Sequence, residues 1–176
     1  MDQTPQASLK KIALNYGLAL AFISIIISVI LYVTGNHLEN PWWASLLRLV
    51  VAVTITLYGL KAFKMGSGGY MSLGQALKTG MAIALISGLV GAIFQYLFMT
   101  VIEPDFVNQM MEVTREKMLE QNPNMTEEQM KFGLDMSRKF MQPGIMSAII
   151  IVSSLFFGFI ISLILGLILK QNRPEH

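Results

Sequence analysis

Arg48 is the one cationic side chain set well inside any of the long apolar runs of this sequence, about one and a half helical turns in from Trp42. Gln95 lies at a comparable depth in a later run if that run ends near Ile102, and Glu103 follows directly after it. Charged and strongly polar groups are expensive in hydrocarbon, so those present mark sites, interhelical contacts or side chains long enough to reach the interface. We expect Arg48, Gln95 and Glu103 to form one polar cluster near a membrane surface, either structural or ligand-binding. Asn15, near the start of the first run, is expected to hydrogen-bond a neighbouring helix.

The remaining inventory for chemistry is thin. There is no cysteine, which excludes disulfides, thiolate metal sites and cysteine nucleophiles. None of the apolar runs contains an Asp or Glu, the groups that many ion-coupled transporters use at depth. His37 and His176 both fall outside the runs, leaving the many serines within them no evident base for Ser–His hydrolysis. The expectation is a non-enzymatic chain with no cofactor. A net charge of +2 with scattered basic residues lacks the stripe of a nucleic-acid binder, so no nucleic-acid partner is expected.

Two further patterns invite chemistry. Eight methionines lie between Met110 and Met146, and thioethers are soft ligands for Cu(I), yet no cysteine accompanies them and His37 belongs to a different loop. The alternative is that these flexible side chains pack a helical segment onto the membrane, the bundle or a partner. Gly66, Gly68 and Gly69 open a glycine-rich segment, and Gly69 and Gly74 have P-loop spacing. Gln75 and Ala76 occupy the positions where a P-loop has Lys and Ser or Thr, however, and no strand precedes them. A glycine hinge leading into a helix capped by Ser72 and Gln75 accounts for the same residues.

The elements that must position these side chains are legible from composition. The chain is 53% apolar and 14% charged, against roughly 25% charged in an average soluble domain. Four runs, 12–33, 42–60, 80–102 and 145–169, each reach the roughly 20 residues that span a bilayer, and the capped start extends the third to about 76. A soluble bundle would need polar faces that segment 23–33 lacks, and the first run is too long for a signal-peptide core. The fold class is therefore all-α: a single membrane domain, a four-helix transmembrane bundle with an extracytoplasmic helical hairpin inserted at 103–144.

Positive residues resist translocation, and they orient the bundle. Lys10, Lys11, Lys61, Lys64, Lys78, Lys170 and Arg173 lie in short segments on one side, while the first loop on the other side has none. Both termini are expected in the cytoplasm. Trp42, Trp43, Tyr32 and Tyr16 fall where an aromatic belt belongs.

Small residues at intervals of four mark faces where helices approach closely in lipid. Ser154, Gly158, Ser162 and Gly166 form the most regular of these, with Gly80, Ala84 and Gly88 in the third span and Gly17, Ala21, Ser24 and Ser28 in the first. The fourth-span face serves either a homodimer or packing within one bundle. In the long loop, Pro104 and Asp105 suit a helix start, Asn122-Pro123-Asn124 a break, and Thr126 with Gln129 a second capped helix ending before Pro143-Gly144.

The segment Gly68-Gly69-Tyr70-Met71-Ser72-Leu73-Gly74-Gln75-Ala76-Leu77-Lys78, the Pro104-Asp105-Phe106 start of a Met- and Glu-rich loop, and the closing Leu167-to-Lys170 stretch resemble a family of small four-span bacterial membrane proteins of unknown function. The resemblance covers nearly the whole chain. It implies a Gram-negative inner-membrane location and transfers no catalytic or binding residue. Three functional readings remain: an accessory or assembly component whose outer hairpin binds a membrane-protein partner or a second copy; a small oligomeric transporter or channel for a polar or anionic solute, lined by Arg48 and Gln95; and a lipid- or metal-handling protein.

Overall fold

A computed structural model describes residues 8–39 and 41–171, so Arg173 and His176 lie outside the described residues. Six α-helices follow in order: α1 (Leu9–Val33), α2 (Trp42–Gly66), α3 (Leu73–Leu97), α4 (Phe106–Gln121), α5 (Glu127–Phe140) and α6 (Pro143–Leu169), with a π-helical turn at Phe98–Ile102 continuing α3. The four helices long and apolar enough to cross a membrane are α1, α2, α3 with its π turn, and α6. Their outward faces are apolar along their length, with Phe22, Ile26, Val50, Ile93, Val152 and Phe156 all exposed, as lipid contact requires. Each helix outruns its apolar core. Helix α2, for example, continues past Leu60 to Gly66 because Phe63 is still buried there.

Helix α3 is the centre of the bundle, packed along α6 on one side and α1 on the other. The α3–α6 contact is an antiparallel seam in which a glycine faces a small side chain at every step. A Cβ on Gly166 would sit 2.8 Å from Ala76 Cβ; one on Gly80 would strike Ser162, one on Gly158 would strike Ala84, and one on Gly88 would strike Ser154. Nearer the outer end, Ser147 Oγ donates to the Ala92 carbonyl at 3.2 Å. Of the two uses expected for the fourth-span face, packing within the bundle is the one present: α3 of the same chain fills it. Helix α1 repeats the device, with Gly17 lying under Ile86 and the Ile83 carbonyl, each about 2.9 Å or less from an added Cβ.

Between the ends of α2 and α3 away from the hairpin, the glycines make a hydrogen-bonded turn. Gly68 has φ +71°, its N–H bonds Met65 O at 3.3 Å, and the Gly69 N–H bonds Lys64 O at 2.9 Å, a Schellman cap that satisfies the last carbonyls of α2. Gly66 is simply the last helical residue. The following Met71, fully buried, exchanges two 2.9 Å backbone bonds with Gln171, and Lys64 Nζ donates to Leu169 O at 3.1 Å. The loop thereby clamps the end of α6. The Ser72–Gln75 capping box then forms as expected, with reciprocal bonds of 3.3 and 2.8 Å. Asn15 is exposed and does not face a neighbouring helix.

Because the seam leaves no space beside Gly158, Gly158→Leu should destabilise the protein by about 3 kcal/mol or more, at the upper end of overpacking effects. Gly144→Ala, where an added Cβ meets nothing within 4 Å, should be nearly neutral. Thermal unfolding of the two variants in detergent measures the difference.

Candidate functional site

Three spans each bring one polar side chain to the same outer depth. Counted at 1.5 Å per residue, Ser28 lies about 8 Å below the end of α1, and Arg48 about 9 Å and Gln95 about 10 Å below the outer ends of their spans. Arg48 Nη2 donates to Ser28 Oγ at 3.3 Å, and Ser28 Oγ in turn donates to the Ser24 carbonyl at 3.1 Å. Close approach of α1 and α2 at the fully buried Ala44, packed with Ile27 and Leu31, lets the guanidinium reach across. Arg48, Ser28 and Gln95 line a half-open cavity of about 290 Å³, its other walls formed by Leu31, Leu38, Phe94, Phe98, Phe106, Met110 and Met146.

His37 also lines this cavity, a position its sequence context did not announce. It is placed by the end of α1, which closes in a second Schellman cap: Gly35 has φ +73°, its N–H bonds Tyr32 O at 3.0 Å, and the Asn36 N–H bonds Leu31 O at 2.8 Å. The chain turns back and lays the His37 ring edge-on against Tyr32, centroids 5.1 Å apart, and roughly parallel to Phe106 at 6.2 Å. Both ring nitrogens of His37 are buried and have no hydrogen-bond partner. Only the pattern Thr-Gly-Asn before His37 signalled this turn in the sequence.

The π turn is the second feature that periodicity missed. Its wider winding buries Phe98 and Met99 together, and Phe98 meets Tyr32 at 5.2 Å, Phe106 at 5.6 Å and Phe94 at 6.0 Å. Such one-turn π segments disrupt regular helix spacing and often accompany sites. The Glu103 N–H closes the turn on Phe98 O at 2.7 Å, which sets Glu103 at the foot of α4.

The expected cluster of Arg48, Gln95 and Glu103 is therefore divided. Arg48 and Gln95 share the cavity, whereas Glu103 is not among its lining residues: its carboxylate accepts from Gln109 Nε2 at 2.7 Å and from the Tyr32 hydroxyl. The Tyr32 bond first, then the Gln109 bond, hold the Glu103 carboxyl below its ordinary value of 4.5, with His37 adding in the same direction; desolvation and Asp105 oppose them. No group of three or more His, Cys, Asp or Glu able to hold a metal ion occurs among the described residues.

Above the cavity stands the helical hairpin of α4 and α5. Asp105 precedes α4, although its side chain bonds Asn108 Nδ2 at 2.7 Å and makes no cap, while the Thr126–Gln129 box caps α5 with bonds of 3.3 and 3.1 Å. Gly133 lies under the tip of Met118, 2.6 Å from an added Cβ, and Arg138 Nη2 donates to Asn108 Oδ1 at 3.0 Å. The methionines take several places. Met111 is buried, Met110 and Met146 line the outer cavity, and Met111, Met125 and Met130 line a groove between α4 and α5. Helix α5 buries no residue, and Phe132, Met136 and Phe140, four apart, stand 70%, 40% and 56% exposed.

A carboxyl with a lowered folded-state pKa contributes stability that is complete above its ordinary value and is lost as pH falls through the lowered one. The melting temperature of the wild type should accordingly exceed that of Glu103→Gln near neutral pH, and the gap should close on acidification below about pH 4.5. Tyr32→Phe should narrow the same gap. A pH series of melting curves for the three proteins reads this directly.

Neither the curated proteins nor the solved structures compared with this chain gave a match. Among protein families, the one described as "Protein of unknown function (DUF4199)" matches residues 15–171, a segment running from the first turns of α1, through all four spans and the hairpin, to the Gln171 bridge. With its whole described architecture inside that match apart from the start of α1, this multi-pass membrane protein belongs to the DUF4199 family of proteins of unknown function.

Proposed function

We propose that this chain is a non-enzymatic accessory or assembly protein of a bacterial inner membrane, with both termini cytoplasmic, whose outer hairpin binds a second membrane protein. The observation that carries the reading is the stripe Phe132, Met136 and Phe140 on α5: an apolar face that the chain itself leaves uncovered, on a helix held in place by Met118, Asn108 and its capping box. Exposed apolar stripes of this kind on an ordered helix fit a partner's groove.

Charge favours a protein over the lipid surface as the occupant. Segment 103–144 carries eight acidic residues against five basic ones, whereas helices that lie on anionic membranes are rich in Lys and Arg. The partner surface is accordingly an apolar groove with a basic rim. The basic residues Lys10, Lys11, Lys61, Lys64, Lys78 and Lys170 gather at the opposite end of the bundle, which supports the cytoplasmic placement of that end. The absence of cysteine and of acids within the spans underlies the non-enzymatic reading.

A photo-crosslinking residue at position 136, introduced in cells, should capture one membrane protein, and Phe132→Ser with Phe140→Ser should reduce that capture roughly tenfold, the scale of losing two well-buried aromatic contacts. The double variant should keep the wild-type melting temperature, since both side chains are exposed. Capture of lipid alone, or a product unchanged in the double variant, would overturn the partner assignment. Since the native chain has no cysteine, Glu120→Cys and Lys61→Cys can report orientation. An impermeant thiol reagent applied outside should label the first and spare the second.

A further inference from the structure

We propose that the outer cavity is a binding site for a net-negative oxyanion, the head of an anionic lipid or a free phosphate. Four hydrogen-bonding side chains from four separate segments line one half-open cavity: Ser28 from α1, His37 from the first loop, Arg48 from α2 and Gln95 from α3. The spacing of the sequence gave each of them a different context, and only the bundle brings them together.

The chemistry of this set is one-sided. Arg48 supplies a permanent positive charge and a planar fork of N–H donors suited to phosphate or carboxylate oxygens. Gln95 adds an amide donor, while Ser28, whose one proton goes to the Ser24 carbonyl, orients the guanidinium by accepting from Arg48. His37 always carries at least one ring N–H; the residue lines the space, and its two buried nitrogens have no hydrogen-bond partner among the described residues, so a small ring rotation would offer one to a ligand. Among the described residues no acidic side chain lines the space; Glu103, the carboxylate next to the π turn, is held by Tyr32 and Gln109. A cation-binding site needs the opposite arrangement.

Size and setting narrow the ligand further. A volume of about 290 Å³ stands at the lower edge of small-molecule pockets, roughly 300 Å³, and holds an oxyanion head with its first few carbons, any longer chain leaving through the open side. Leu31, Phe94 and Met146 form apolar walls beside the donors. At the depth of Arg48, in a medium of low dielectric, a charge-assisted contact is stronger than at an aqueous surface. The site stands apart from the α5 stripe, so this inference holds whether or not the hairpin binds a protein.

The test uses the full chain purified in detergent. Native mass spectrometry with added phosphatidylglycerol or phosphatidylcholine measures the lipid source, and thermal unfolding with inorganic phosphate or chloride at equal ionic strength measures the soluble one. The wild type should hold phosphatidylglycerol roughly tenfold more tightly than phosphatidylcholine, or be stabilised by phosphate above chloride. The first result alone assigns a lipid head, and the second a free oxyanion. Arg48→Gln should abolish the preference and Gln95→Leu should weaken it severalfold, with His37→Phe between them. If Arg48→Gln does not fold, Gln95→Leu and His37→Phe carry the comparison. A wild type that shows neither preference overturns the proposal, as does binding that all folded variants retain unchanged.

Discussion

Helices surrounded by lipid tails gain little from burying apolar surface against one another, so what joins them must come from close contact. In this chain that contact is the seam between α3 and α6, where four glycines face Ala76, Ser162, Ala84 and Ser154 in turn. Each pairing lets two backbones approach more nearly than any pair of larger side chains would. The close approach also provides for the polar groups in the seam: Ser162 donates to the Gly158 carbonyl within its own helix, and Ser147 reaches Ala92 across it. The clamp between Met71 and Gln171 fixes the register of the same two helices at the end away from the hairpin. With α3 so anchored, α1 packs on its other side through Gly17.

The outer end inherits its geometry from this anchor. Because α3 is fixed along its length, its departure into a π turn at Phe98–Ile102 falls at a defined place and swings Phe98 into contact with Tyr32, His37 and Phe106. That aromatic group joins the end of α1, the first loop and the foot of the hairpin. Beneath it lie Arg48, Ser28 and Gln95. A polar layer under an aromatic one, at the same depth on three spans, is the arrangement in which a charged side chain is tolerated near hydrocarbon. Among the described residues, the middle of each span holds no charged side chain.

Much of this was readable without coordinates. The four spans follow from hydropathy because hydrocarbon admits only long, internally bonded helices, and both capping boxes formed at Ser72 and Thr126 because they depend on residues three apart. The small-residue faces were visible as intervals of four, though not which face met which. The site was half legible. Arg48 and Gln95 stood out as polar residues in apolar runs and do share a cavity, but Glu103 left the group for Tyr32 and Gln109, and His37 joined it unannounced. That Gly68 and Gly69 are conformationally special is legible from residue type, whereas their Schellman bonds and the Met71–Gln171 bridge involve partners that local composition does not name.

The sequence by itself determined the membrane-spanning helices, their caps and the acidic, amphipathic character of the hairpin, all of which depend on neighbours within one or two turns. Tertiary structure alone decided that the fourth-span stripe is spent on α3, that Tyr32 takes Glu103, and that His37 and Arg48 line one cavity. The reason is the rotation and depth of each helix about its own axis. Those are set by which glycine meets which small side chain across the seam, and by a single π turn that no local repeat encodes.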